Sequence, residues 1–254
     1  MAAPTVEPKI YTAIGLDFET GGLDPTRCAC TQIAVQAIRL DTLETFDRYV
    51  KYIAPYHKQE LGAARRKVLK PKHELSQPIE RMDYEQVALD YSNITMDMLI
   101  HMGADMKEVA ADIIRFVQNA TLSKGAQAKP VLIGQNIAFD IGFLTQLMSY
   151  AALTKEYEKA FAGKKDFYGN FQPLYIDTIL LARLALAADQ SMTSYKLEMI
   201  AERLGVELDD AHDAAADVTT TLDIVRVCSS RMRNNEGSVF GSAKQEKTRD
   251  HFKI

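Results

Sequence analysis

The order in which apolar periodicity changes along this chain is what most limits its fold. Residues 10–18, 33–40 and 45–53 are β-prone apolar runs, and only a short polar turn near 41–44 separates the last two. They predict antiparallel strands that open a sheet. Beyond them the pattern alternates. Residues 105–119 predict a helix: Asp105 can cap it, and Glu108 stands three residues on, as in a capping box. Val109, Ile113, Phe116 and Val117 share one face of that helix. Short apolar runs at 131–133 and 174–176 predict buried strands, followed by helices opening near Asp140 and over 177–188. Further helices are expected over 194–204, with Ser194 as cap and Gly205 just past the end, and over 213–229. Strands first, then alternating helices and strands, imply an α/β fold: one mixed sheet with helices packed on its faces.

The chain of 254 residues is 47% hydrophobic, enough for a sizeable core. Its most apolar stretch, 179–188, contains Arg183 and is too short to span a bilayer, so no membrane association is expected. The opening residues show no basic segment followed by an apolar core, so no secretory signal is expected. Cys28, Cys30 and Cys228 cannot form a disulfide framework, which favours a reduced, cytoplasmic protein. The net charge of −4 hides an asymmetry. Residues 51–81 carry eight Lys/Arg against three Glu, and residues 229–254 carry six against three acids. An acidic pocket that holds cations, with basic flanks that hold phosphate, produces such a pattern; so do two solvated surface segments. The expected organisation is a flexible leader over 1–9, one domain over 10–228 with a basic insertion at about 55–83, and a polar, mobile tail over 229–254.

Three short motifs carry chemistry. In Leu16-Asp17-Phe18-Glu19-Thr20-Gly21-Gly22, alternate strand residues share a face, so Asp17 and Glu19 project together while Phe18 points into the core. Two such carboxylates repel unless a cation lies between them, and a hard divalent metal is the ordinary solution. The two glycines leave room for a substrate backbone to approach. In Gly134-Gln135-Asn136-Ile137-Ala138-Phe139-Asp140, Asn136 can hydrogen-bond a ligand, and Asp140 falls in a first helical turn, where capping alone also favours it. In Ala211-His212-Asp213-Ala214-Ala215-Ala216-Asp217, His212 and Asp217 converge best if His212 precedes the helix and Asp217 lies within it. The alanines suit close packing against another element. Each motif alone has a bland explanation. In order, they place four acids and one histidine on three separated elements, enough to hold two metals across a phosphate, with His212 able to take a proton near neutral pH. The P-loop, the dinucleotide glycine fingerprint and the zinc-protease helix motif are absent from the sequence.

These three motifs, in this order, resemble those of the DEDDh exonucleases on the ribonuclease H-like fold: Asp-x-Glu-Thr, Asn-x-x-Phe-Asp and His-x-x-x-x-Asp. The resemblance covers roughly residues 10–228. Residues 139–143 resemble the proofreading epsilon subunit of bacterial polymerases, and residues 176–183 resemble both that subunit and ribonuclease T. It implies a central mixed five-stranded sheet flanked by helices, with 3′–5′ hydrolysis of single-stranded nucleic acid. Asp17, Glu19, Asp140 and Asp217 would bind two Mg²⁺ ions, for which Mn²⁺ can substitute; His212 would be the general base, and Thr20 and Asn136 would contact substrate. DNA proofreading is the first expectation. RNA 3′-end trimming, a catalytically silent nucleic-acid-binding module and a hydrolase of small phosphate esters are the alternatives. A polymerase or a second copy of the chain is the expected partner. Gln135 stands where relatives usually carry His, which leaves one pocket contact open.

Overall fold

The computed structural model describes residues 9–59, 80–208 and 213–234. The expected leader over 1–9, except Lys9, lies outside these residues, as do most of the basic insertion, the tail beyond residue 234, and His212.

The β-prone start forms strands β1 (Thr12–Thr20), β2 (Cys30–Arg39) and β3 (Thr45–Tyr52). Helices α1 (Gln86–Tyr91), α2 (Met96–Met102) and α3 (Met106–Asn119) follow, then strand β4 (Val131–Gly134) and helices α4 (Ala138–Tyr150) and α5 (Thr154–Ala160). A small hairpin of β5 (Gly163–Lys165) and β6 (Phe171–Pro173) leads into β7 (Tyr175–Asp177), and helices α6 (Thr178–Ala185), α7 (Leu197–Leu204) and α8 (Ala214–Asn234) complete the described fold. The five-stranded sheet has the order β3-β2-β1-β4-β7. Its first three strands are antiparallel, whereas β1–β4 and β4–β7 are parallel, so the sheet is mixed as expected.

The alternation of β1 sorts its side chains between two layers. Ile14, Leu16 and Phe18 enter a core with Val109, Ile113 and Val117 of α3 and Leu144 and Leu147 of α4. Ala13 faces the other way, into a cluster with Ile133 of β4 and Val218, Leu222 and Val225 of α8. The far side of α8 packs Ile224 and Cys228 against Ala182 of α6 and Ile200 and Leu204 of α7. α8 is therefore clasped between sheet and helices. Gly15 allows this approach: a Cβ there would lie 3.1 Å from both Val218 and Leu222.

Several local expectations change. α8 runs to Asn234 rather than ending at 229, because Arg233 donates to the Leu40 and Asp41 carbonyls and fastens the last turn to the β2–β3 turn. α7 starts at Leu197, not Ser194; Lys196 is its cap residue and Ser194 only accepts from the Lys196 amide, while Gly205 ends the helix in the left-handed region as expected. Asp105 caps α3 by accepting from the Lys107 and Glu108 amides. The two ends of the insertion belong to the fold. Tyr56 and Met82 are buried in the main core, Met82 N–H donates to the Tyr56 carbonyl, and Lys58 pairs with Glu80. Residues 60–79 lie outside the described residues. No helix among the described residues is long and apolar enough to cross a membrane.

Candidate active site

The acids meet at the end of β1. Asp17 and Glu19 project from the face of β1 that α8 covers, and the tight α8 contact at Gly15 brings Asp217, in the first turn of α8, beside them. Carboxylate oxygens of Asp17, Glu19 and Asp217 all lie within 4.8 Å of one another. Asp140 reaches the same place from α4 and is 3% exposed. The parallel pairing of β1 with β4 stops at Gly15–Ile133, so the Phe18 amide finds no strand partner there and donates to Asp140 Oδ1 at 3.0 Å. One first-turn carboxylate thus closes an open backbone position and lies close enough to feel the charges of Asp17 and Glu19, while standing outside the group of three whose oxygens lie within 4.8 Å.

The electrostatics state what the cluster lacks. Burial at the bottom of the cleft, then the charge of Asp217 and of Asp213, pushes the Asp17 carboxyl up to about 8. Burial and the charges of Asp17, Asp217 and Asp213 push Glu19 up to about 9. Asp140 is also raised, by burial first and by Asp17 second. Carboxylates held this close in protein ionise together only when a cation neutralises them. Hard oxygen donors converging from a strand and a facing helix suit a divalent metal. The donor set present in the structure therefore fits the metal implied by the sequence motifs.

The acids form the floor of a cleft of about 830 Å³. Thr20 lines it, but its hydroxyl donates to the Gly22 carbonyl and shapes the turn after β1. Asn136 lines it too, exposed and held at φ 52, a left-handed conformation that Asn tolerates better than most residues. Its backbone amide donates to Asp177, whose carboxylate also accepts from Ile179 N–H and caps α6, so Asp177 holds the turn and the helix start. Phe143 is core, whereas Phe139 is only partly buried and also lines the cleft. The expectation for Gly21 is corrected. A Cβ on Gly21 would sit 2.6 Å from the Asp83 carbonyl, and the Glu85 amide donates to the Gly21 carbonyl, so this glycine admits the protein's own 83–85 segment rather than a substrate backbone.

His212 lies outside the described residues. Asp213, next to it in the chain, is well anchored: its carboxylate accepts from Ala215 and Ala216 amides at the start of α8 and from the Gln32 side chain. Sequence reasoning missed most of the cleft rim. Leu23, Val87 and Tyr91 supply an apolar part, with Val87 81% and Tyr91 62% exposed. Arg183, Tyr195 and Lys196 supply another part. One sequence signal pointed there: the departure at Gln135, whose side chain donates to the Tyr195 carbonyl at 2.8 Å and accepts from the Thr178 hydroxyl at 2.5 Å.

A mixed five-stranded sheet flanked by helices, with paired acids leaving its central strand and further acids arriving from two flanking helices, is a ribonuclease H-like fold. Residues 120–225 match the RNase_T family model, described as Exonuclease. Among solved structures, the chain is similar to E. coli Exonuclease I in complex with a dT13 oligonucleotide, at 20% identity and a TM-score of 0.60, over 88% of this chain and 42% of that one. The zinc-bound E. coli ExoI–ssDNA complex matches at 20% identity and a TM-score of 0.60, over 88% of this chain and 41% of that one. An ExoI/SSB-Ct complex matches at 18% identity and a TM-score of 0.59, over 88% and 42%. The chain thus spans less than half the length of these Exonuclease I chains. The family match spans the segment that carries the second and third motifs, and the solved structures share the fold.

Proposed function

We propose that this chain is a metal-dependent 3′–5′ exonuclease that removes nucleotides from the 3′ end of single-stranded DNA. The observation that carries this is the convergence of Asp17, Glu19 and Asp217 within 4.8 Å at the floor of an open cleft, with Asp140 beside them. Asp17, Glu19, Asp140 and Asp217 would hold two Mg²⁺ ions, with Mn²⁺ as a substitute. Bound there, the ions would neutralise the phosphate and make a water more acidic. His212, next in the chain to the anchored Asp213, would serve as the general base that accepts a proton from the attacking water, since an ordinary imidazole titrates near neutral pH. Asn136 and Thr20 border the place where the 3′ nucleotide lies. The Phe18 amide keeps Asp140 in position as charge changes around it.

Single-stranded DNA is preferred because the similar structures are complexes with it. RNA 3′-end trimming uses the same five residues and differs only in the treatment of the 2′-hydroxyl. A DNA-proofreading role brings a polymerase partner, and an RNA-trimming role brings a homodimer. The free, buried Cys28, Cys30 and Cys228 suit a reducing, cytoplasmic setting.

The test is degradation of 3′-labelled and 5′-labelled single-stranded DNA and RNA with Mg²⁺, Mn²⁺ or EDTA. The expected result is a metal-dependent ladder shortening from the 3′ end, faster on DNA. Faster cleavage of RNA would move the assignment to RNA trimming. Intact metal binding without cleavage of either polymer would leave the silent module or the small-ester hydrolase.

A further inference from the structure

The cleft is rich in carboxyl groups. Its lining carries six carboxylates (Asp17, Glu19, Glu85, Asp140, Glu198 and Asp217) and two cations, Arg183 and Lys196. A phosphodiester strand crossing it is a polyanion. Metal at the floor can neutralise the phosphate being cut, but the next phosphate along must face some other cation or meet uncompensated repulsion. Arg183, in the last turn of α6, and Lys196, the cap residue of α7, are the side chains of that charge among the described lining residues.

We propose that Arg183 and Lys196 form a phosphate clamp that grips the backbone one nucleotide upstream of the scissile bond. The proposal rests on the exonuclease reading above. Arg183 is already oriented. Its guanidinium lies 4.4 Å over the Tyr195 ring. The Tyr195 carbonyl accepts from Gln135, and Gln135 is fixed in turn by the hydroxyl of fully buried Thr178. This connection runs from the base of α6 through the β4–α4 turn to the loop that carries the stacking ring. A guanidinium stacked on one face keeps its N–H edge free for a phosphate, and a pre-set rotamer loses less entropy on binding. Neither Arg183 nor Lys196 forms an ion pair with a carboxylate among the described residues.

The test separates the clamp from the chemistry by choice of substrate. The p-nitrophenyl ester of thymidine 5′-monophosphate has a scissile phosphate but no upstream one. On the full chain, Arg183→Ala should raise KM for a single-stranded oligonucleotide about tenfold, the scale of one lost charge-assisted contact, with ester hydrolysis unchanged. Oligonucleotide binding, read by fluorescence anisotropy with Ca²⁺ replacing Mg²⁺, should weaken to match. Its log–log salt dependence should become shallower by roughly 0.7 for the lost phosphate contact. Lys196→Ala should act in the same direction, and Arg183→Lys should fall between wild type and Arg183→Ala. Equal losses on ester and oligonucleotide would overturn the clamp and make Arg183 a support of the metal floor. An unchanged salt slope would overturn it too, leaving Arg183 as a brace for the Tyr195 loop. A wild-type chain that hydrolyses neither substrate would instead sink the exonuclease reading, and the binding measurement would still decide the clamp.

Discussion

The floor and the rim of the cleft are built by different means. The floor rests on long regular elements: Asp17 and Glu19 follow strand alternation, Asp140 and Asp217 sit in first helical turns, and a packed sheet–helix contact at Gly15 brings them together. The rim rests on short helices and loops tied by single polar contacts, such as Gln135 to Tyr195 and Arg183 over its ring. Changes to the floor should therefore act on chemistry and charge as a unit, whereas changes to the rim should act on binding, one contact at a time.

The sharpest way to break this contrast is Asp17→Asn. It should reduce nuclease activity on the order of a thousandfold or more while the chain stays folded, because an amide cannot replace a charged ligand. It should also raise the metal-free melting temperature, since it removes one member of a repelling group. Comparable turnover in the variant would show that the floor is not the catalytic centre.

A second test uses pH. The Asp17 carboxyl is raised from 3.8 to about 8 and Glu19 from 4.5 to about 9. Raised carboxyls favour the folded state fully only below their unfolded values, and that contribution is lost as pH rises through the folded ones. The metal-free protein should thus lose stability between about pH 4 and about pH 9, and Mg²⁺ should raise the melting temperature more at about pH 9 than at about pH 5. An equal Mg²⁺ effect at both would mean that the acids are not mutually strained. Smaller still is Gly15→Val, expected to cost about 1–3 kcal/mol through overpacking against Val218 and Leu222, and to lower activity by displacing Asp217. Denaturant unfolding together with nuclease assay checks it; lost stability with full activity would uncouple α8 packing from the floor. Gln135→Ala should be mildest, about 1 kcal/mol or less, with KM for oligonucleotide raised and ester hydrolysis kept. A fall in ester turnover would show that rim and floor are one unit after all.

Much of the floor was legible because its information is local. Strand alternation gave Asp17 and Glu19 a common face, and the start of the last helix, which begins at Ala214 close to where the sequence placed it, carries Asp217 in its first turn. The mixed sheet followed from the change of period along the chain. Gly21 was misread for the opposite reason: nothing near it in sequence shows that residues 83–85 fold back against it. The short helices α1, α2 and α5 escaped because so few turns leave little periodicity to read.

By itself, then, the sequence determined which residues are acidic, which lie on strands or helices, and the order in which the motifs arrive, because periodicity and capping act over a few residues. Only the tertiary structure decided that the Asp140 carboxylate closes the open Phe18 amide, that Gly15 lets α8 settle against β1, and that Gln135, Tyr195 and Arg183 form one connected rim. Those contacts join residues far apart in the chain, and the pairing of a donor with a distant acceptor is fixed by packing geometry, which no local pattern encodes.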